Sequence, residues 1–226
     1  MVVRLVVQTV CWFLVTALLL FSAAGTGRWA VGWAYLSLTG LCGLGVGLWL
    51  ARFDPELLDQ RLASPVQRGQ KTFDKVFMAV FLLLYHVWLA FMALDAVRFA
   101  WSHVPSWLHV VGALLILACY WVVFLAFRVN TFAVPVVKIQ AERNQRVVET
   151  GPYAVVRHPI YAGALLFMAG TPFLLGSWWG LAMATLIFVP MLALRAVREE
   201  RVLSEGLEGY ARYAARVRYR MIPGIW

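Results

Sequence analysis

Charge is scarce in this 226-residue chain. Only 14% of its residues are charged and only 11 are acidic, whereas 62% are hydrophobic. Soluble globular chains run about 25% charged and about 45–50% apolar. That imbalance excludes a water-soluble domain and places the chain among integral membrane proteins. Cysteine is nearly missing as well. Cys11, Cys42 and Cys119 lie far apart inside apolar runs. An odd count excludes a full disulfide set, no metal-ligand spacing is present, and the three read as small core residues. The chain also lacks a low-complexity linker and a clear internal repeat, which excludes a repeat array.

What is present is a series of six apolar runs, roughly 5–24, 29–51, 76–97, 107–128, 159–176 and 179–195. A helix of about 20 apolar residues crosses a bilayer core of about 30 Å. The last two runs are the shortest and predict a tight hairpin around Gly176-Ser177-Trp178-Trp179-Gly180. The predicted fold is therefore an all-α integral membrane protein, a multi-pass helical bundle of about six transmembrane helices. It forms one domain over 1–226, with a four-helix part at 1–128 and a C-terminal part at 129–226. The first run also fits a signal peptide, with Arg4 as basic region and Ser22-Ala23-Ala24 near a cleavage site. Its thin basic region and long apolar stretch favour a retained span.

The net charge of +9 invites a nucleic-acid reading, but its distribution points elsewhere. With six spans the connections alternate between sides. All 20 Lys and Arg residues except Arg28 and Arg98 then fall on one side, Arg68 among them. This positive-inside asymmetry predicts cytoplasmic N- and C-termini and cytoplasmic long connections. The same charge attracts anionic lipid headgroups, so membrane lipids are expected partners and nucleic acid is not. Oligomeric state is not legible.

Several local signals have structural readings. Gly43 and Gly47, one turn apart, predict close approach of another helix; Gly43-Leu44-Gly45 lacks the third glycine of a dinucleotide fingerprint. Asp54-Pro55-Glu56 is a helix start, opening a short interfacial helix in the 52–75 connection. His86 and His109 lack a visible partner. Asp95 and Arg98, three apart, are expected to pair. Trp29, Trp33, Trp101, Trp107, Trp178 and Trp179 near span ends fit an aromatic belt. Past Arg195 the last helix runs into water. There Tyr210, Tyr213 and Val217 share one face and Arg212 and Arg216 another, which fits either a helix resting on anionic lipid or a lid over the loop before it.

Two stretches carry candidate chemistry. The connection 129–158 is long for a plain loop and so is a functional candidate. It ends in Gly151-Pro152-Tyr153 and Arg157-His158-Pro159-Ile160-Tyr161. Pro159 at a first helical position leaves first-turn N–H groups free, and these favour an anion beside Arg157 and His158. The second stretch is Arg195-Ala196-Val197-Arg198-Glu199-Glu200. Arg195 and Glu199 are four apart on a helix, so their side chains are expected to meet. The pair either marks the membrane boundary or grips a substrate carboxylate through the guanidinium fork. Arg198, Glu200 and Arg201 read as a solvated face.

These motifs, spread over roughly Asn130 to Trp226, resemble the isoprenylcysteine carboxyl methyltransferase family, within a wider group of membrane phospholipid methyltransferases. The chain is shorter than the eukaryotic members and is closer to prokaryotic ones, whose acceptors need not be prenylated proteins. The resemblance implies an enzyme using S-adenosyl-L-methionine in a pocket facing the cytoplasm. Gln140, Gln145, Arg146, Val147, Val148, Tyr153, His158, Pro159, Ile160 and Tyr161 would line the cofactor pocket. Arg195 and Glu199 would form the substrate site. The implied acceptor is a lipophilic small molecule or lipid-modified carboxylate. The alternatives are N-methylation of a lipid amine, an NADPH-dependent reduction of the sterol reductase type, and a non-enzymatic transporter or scaffold.

Overall fold

The computed structural model describes residues 1–67 and 69–226; Arg68, counted above with the basic side, lies outside the described residues. The described residues form helices and no strands. Long helices are α1 (Val2–Ala24), α2 (Ala30–Phe53), α4 (Thr72–Ala93), α5 (Ser106–Val129), α6 (Pro159–Leu175) and α8 (Val189–Gly206). Shorter ones are α3 (Pro55–Leu62), α7 (Trp178–Met183) and α9 (Tyr210–Arg216). A π turn at Leu94–Arg98 extends α4, and another at Ala184–Phe188 joins α7 to α8. Five of these runs are long and apolar enough to cross a membrane: Val2–Ala24, Ala30–Phe53, Thr72–Arg98, Ser106–Val129 and Trp178–Gly206. The protein is thus a multi-pass helical membrane protein. The fifth expected span, α6, is apolar but has only 17 residues.

Local chemistry sets the boundaries. Gly25 ends α1 in the left-handed conformation at φ 74°, returning its N–H to Phe21 O, a geometry that favours glycine. The Asp54 side chain accepts the Leu57 N–H at 3.0 Å and caps α3, with Pro55 behind it, as the sequence predicted. Pro159 opens α6, Gly176 closes it at φ 84°, and Ser177 caps α7 by accepting the Gly180 N–H at 2.8 Å. The short hairpin between the last two apolar runs therefore forms where it was expected.

Lipid offers helices no hydrophobic reason to associate, so small residues and polar contacts decide which helices meet. The tightest approach joins α5 to α6. A Cβ on Gly112 would lie 2.3 Å from Leu174 N and 2.6 Å from Gly170 O. A Cβ on Gly170 would lie 2.7 Å from Gly112 O. The expected approach at Gly43 and Gly47 differs: Gly47 receives the Leu5 side chain of α1, and Gly43 meets only the Tyr120 hydroxyl at 3.8 Å. Gly170→Val should force two backbones apart where no flexible side chain can yield. A destabilisation of about 3 kcal/mol, the upper end for overpacking, is expected as a lowered melting temperature in detergent.

Other expectations shift in detail. Asp95 and Arg98 do not pair: Asp95, fully buried, accepts from the Ser102 and Ser177 hydroxyls, while Arg98 reaches the carbonyls of Ser22 and Ala23. Both hydroxyls donate to Oδ2, and Oδ1 has no hydrogen-bond partner among the described residues. His86 and His109 bond main-chain carbonyls of Leu82 and Leu174, which supports their structural reading. Trp29 is buried in the core and leaves the belt, whereas Trp33, Trp101, Trp107, Trp178 and Trp179 stay exposed.

Helices α1, α4 and α6 run away from one end of the bundle, and α2, α5 and α8 return to it. That end collects α3, both long connections and the tail. Cross-links hold it together: Arg4 to Asp59, Lys138 to Gln60 and Arg143 to Glu56. α3 is more than a surface linker, because Leu57 and Leu58 are buried against Phe127 and Ala133.

Candidate active site

A cavity of about 310 Å³ opens at this end. It is built where three segments converge. The first is the extended run 130–138, the second is the turn from Gln145 to the start of α6, and the third is the inner half of α8. Of the residues predicted from sequence, Gln145, Arg146, Val147, Val148, Tyr153, His158, Pro159, Ile160, Tyr161, Arg195 and Glu199 all line it. Tyr153 and Arg195, from separate stretches of chain, share one wall system. Gln140 is the exception and lies outside the lining. It is buried behind the wall, donating to Phe132 O and accepting from Arg143, with its own N–H on the Gln145 side chain. A buried amide with these partners braces the loop.

Arg195 does not turn to Glu199. Its Nε donates to Asp74 Oδ1 at 2.9 Å and its Nη2 donates to Pro135 O at 2.7 Å. Its guanidinium carbon lies 4.9 Å from the Phe77 ring centre and 5.6 Å from that of Tyr161. Glu199 instead accepts a short hydrogen bond from the Tyr161 hydroxyl. Helical spacing brings Arg195 and Glu199 to one face, but a fully buried carboxylate on the neighbouring helix outcompetes a half-buried one along the same helix.

Glu200 is not on a solvated face either. It is half-buried, its Oε1 accepts Arg157 Nε at 2.7 Å and lies 3.1 Å from His158 Nε2, and its Oε2 accepts Arg220 Nε at 3.0 Å. The anion expected at the start of α6 is therefore supplied from within the protein. Arg157 also donates to carbonyls of Val217 and Arg218, and the main-chain N–H groups of Arg157 and His158 donate to Tyr219 and Arg220. The tail is thereby fastened across the motif. Its tyrosine face is covered, with Tyr210, Tyr213 and Val217 packed on Val147, Leu203 and Leu207 and the Tyr213 hydroxyl on Tyr153 O at 2.8 Å. Those contacts match the lid reading of the tail, while Ile222 and Ile225 beyond them stay exposed.

The wall also includes residues that no sequence motif singled out. Arg61 of α3 donates to Ala133 O at 2.7 Å and lies over the Phe127 ring. Burial, together with the nearby Arg195 charge, lowers Arg61 to about 10, which still leaves it a cation at neutral pH. Burial also pushes the Tyr153 hydroxyl well above its ordinary value, so it stays a neutral phenol. Phe77, Met78, Phe81 and Leu82 of α4 and Leu192 of α8 form an apolar side. Asp74 had one available signal: it is an ionisable residue at the head of an apolar helix, and such residues seldom lack a role.

The cavity fits a small-molecule site in size, since such sites run about 300–1,000 Å³. The main-chain N–H groups of Arg146, Val147 and Val148 have no protein acceptor among the described residues. Main-chain groups left open along a cavity wall are ready donors for a ligand. Fold and cavity together define a helical membrane protein with a polar chamber at one end and an apolar side to it. The model of the phospholipid methyltransferase family matches residues 107–208, which run from α5 to the end of α8. The match indicates a membrane methyltransferase, with S-adenosylmethionine as its general methyl donor. No curated protein matches the chain.

Proposed function

We propose that this protein transfers a methyl group from S-adenosylmethionine to a carboxylate of a lipid-like or isoprenylcysteine-like acceptor at the cytoplasmic membrane face. The observation that carries this reading is the joining, in one cavity, of the Gln145–Tyr161 wall, Arg195 with Glu199, and the apolar side on α4 and α8. Gln145 to Val148, Tyr153 and His158 to Tyr161 would hold the donor. The donor supplies an electrophilic methyl on a sulfonium sulfur.

The protein's own contribution is alignment and exclusion of water. A carboxylate is already ionised near neutral pH and needs no base. The free Nη1 of Arg195 would hold one acceptor oxygen and leave the other to attack. Sulfonium and carboxylate lose their charges together, which a dry chamber under the Tyr210–Tyr213 lid favours. Alignment alone is worth about 7–11 kcal/mol of barrier. Phe77, Phe81, Leu82 and Leu192 suit a lipid chain, and Leu82 is 38% exposed at the bundle surface. The basic end that carries the cavity fits the cytoplasmic side by the positive-inside rule.

The test is methyl transfer from labelled S-adenosylmethionine to a whole-membrane extract, followed by mild base. A methyl ester releases labelled methanol, and that is the expected result. Label that survives base would mark an N-methyl product and overturn the carboxylate acceptor, leaving Glu199 as the candidate base for a lipid amine.

A further inference from the structure

Asp74 lies outside the matched residues 107–208 and is completely buried. Both of its carboxylate oxygens are engaged. Oδ1 accepts Arg195 Nε at 2.9 Å and lies 2.9 Å from Nη2. Oδ2 accepts Gln70 Nε2 at 2.9 Å and the Val137 N–H at 2.8 Å. One side chain thus ties the start of α4 to the 135–137 wall and to α8. Lys71 reinforces the joint, its N–H reaching Val137 O at 3.2 Å.

The consequence falls on Arg195. A guanidinium grips a carboxylate with two parallel hydrogen bonds only when both nitrogens of one edge are free. Asp74 and Pro135 O occupy Nε and Nη2. Either two-point edge of the fork that includes Nη2 is therefore closed to a ligand. Only Nη1 is without an acceptor among the described residues, and Arg195 lines the cavity. An acceptor carboxylate can then be held by a single oxygen. The charge of Arg195 is also partly offset, in a buried setting where an uncompensated cation would hold an anion hard. Both effects keep the second acceptor oxygen nucleophilic.

We propose that Asp74 is a positioning residue that aims Arg195 and limits its grip on the acceptor to one oxygen. This rests on the carboxylate reading above. The experiment compares Asp74→Asn and Asp74→Glu with the wild type, using the full chain in detergent. Three quantities are read: the S-adenosylhomocysteine dissociation constant, and kcat and apparent KM against titrated membrane extract. Asp74→Asn should keep the dissociation constant within about threefold and lower kcat by about 30-fold or more, because an uncompensated Arg195 charge holds the acceptor anion harder and blunts its attack. Apparent KM should stay level or fall, which damage to the fold would not produce. Asp74→Glu restores the charge and should recover part of kcat.

Wild-type kcat in a folded Asp74→Asn protein would overturn the proposal, as would a dissociation constant that rises in step with the loss of kcat. If Asp74→Asn does not fold, Asp74→Glu decides against the wild type. A lower kcat at unchanged cofactor affinity supports positioning, and unchanged kcat overturns it. Failure of the underlying reading shows separately, as base-stable label on the wild-type product.

Discussion

Arg195→Ala should lose methyl transfer by about 100- to 1,000-fold while keeping its affinity for S-adenosylhomocysteine within about threefold. The size follows from removing one charged donor aimed at reacting atoms, an effect of about 3–4 kcal/mol. The split follows from placement. Arg195 sits on α8 over the Phe77 and Tyr161 rings, with Asp74 and Pro135 behind it. Most of the proposed donor-binding wall, Gln145 to Val148 with Tyr153, comes from the loop before α6 and not from α8. The substitution also strands the Asp74 carboxylate, which lowers stability, so turnover is to be compared well below the melting temperature. Arg195→Lys keeps a cation but loses the planar fork and should recover little. Loss of S-adenosylhomocysteine binding in a folded Arg195→Ala protein would reject the division of the chamber into donor and acceptor sides.

Glu200→Ala should fail differently, losing cofactor affinity and stability together. Glu200 is the single anion shared by Arg157, His158 and Arg220. Removing one partner from a buried ion pair typically costs about 3–5 kcal/mol, because the remaining charges stay desolvated and unopposed. The tail is fastened by the same contacts, so its release would open the lid formed by Tyr210 and Tyr213. S-adenosylhomocysteine should bind at least tenfold more weakly by calorimetry, and proteolysis within 207–226 should become faster. Wild-type affinity in this variant would show that the tail does not shape the donor site. Glu200→Gln retains the acceptor geometry without the charge and should fall between the two.

How much of this was legible before the structure depends on the range of the interaction. The Asp54 cap, the Pro159 helix start and the Gly176 hairpin are decided within one or two turns of chain, and the sequence predicts each of them. The cavity residues from Gln145 to Tyr161 were legible because polar residues gathered at the head of an apolar helix have few other uses. Gln140 was misplaced because an amide signals hydrogen bonding without saying to what. Arg195 was expected to meet Glu199 because helical spacing is all a sequence shows; its true partner is 121 positions away. Glu200 resembled a solvated residue for the same reason, as both its arginines come from distant segments.

The sequence by itself determined that this chain lives in a membrane as a helical bundle, since apolar runs of that length leave no other way to satisfy their backbone. It also singled out two stretches that line one cavity. Only the tertiary structure decided that α5 and α6 meet through Gly112 and Gly170, that the tail lies over the loop, and that α4 supplies the carboxylate behind Arg195. Helical periodicity fixes the direction of a side chain, whereas its partner is fixed by which helices become neighbours. That choice is made by close packing and buried charge across the whole bundle.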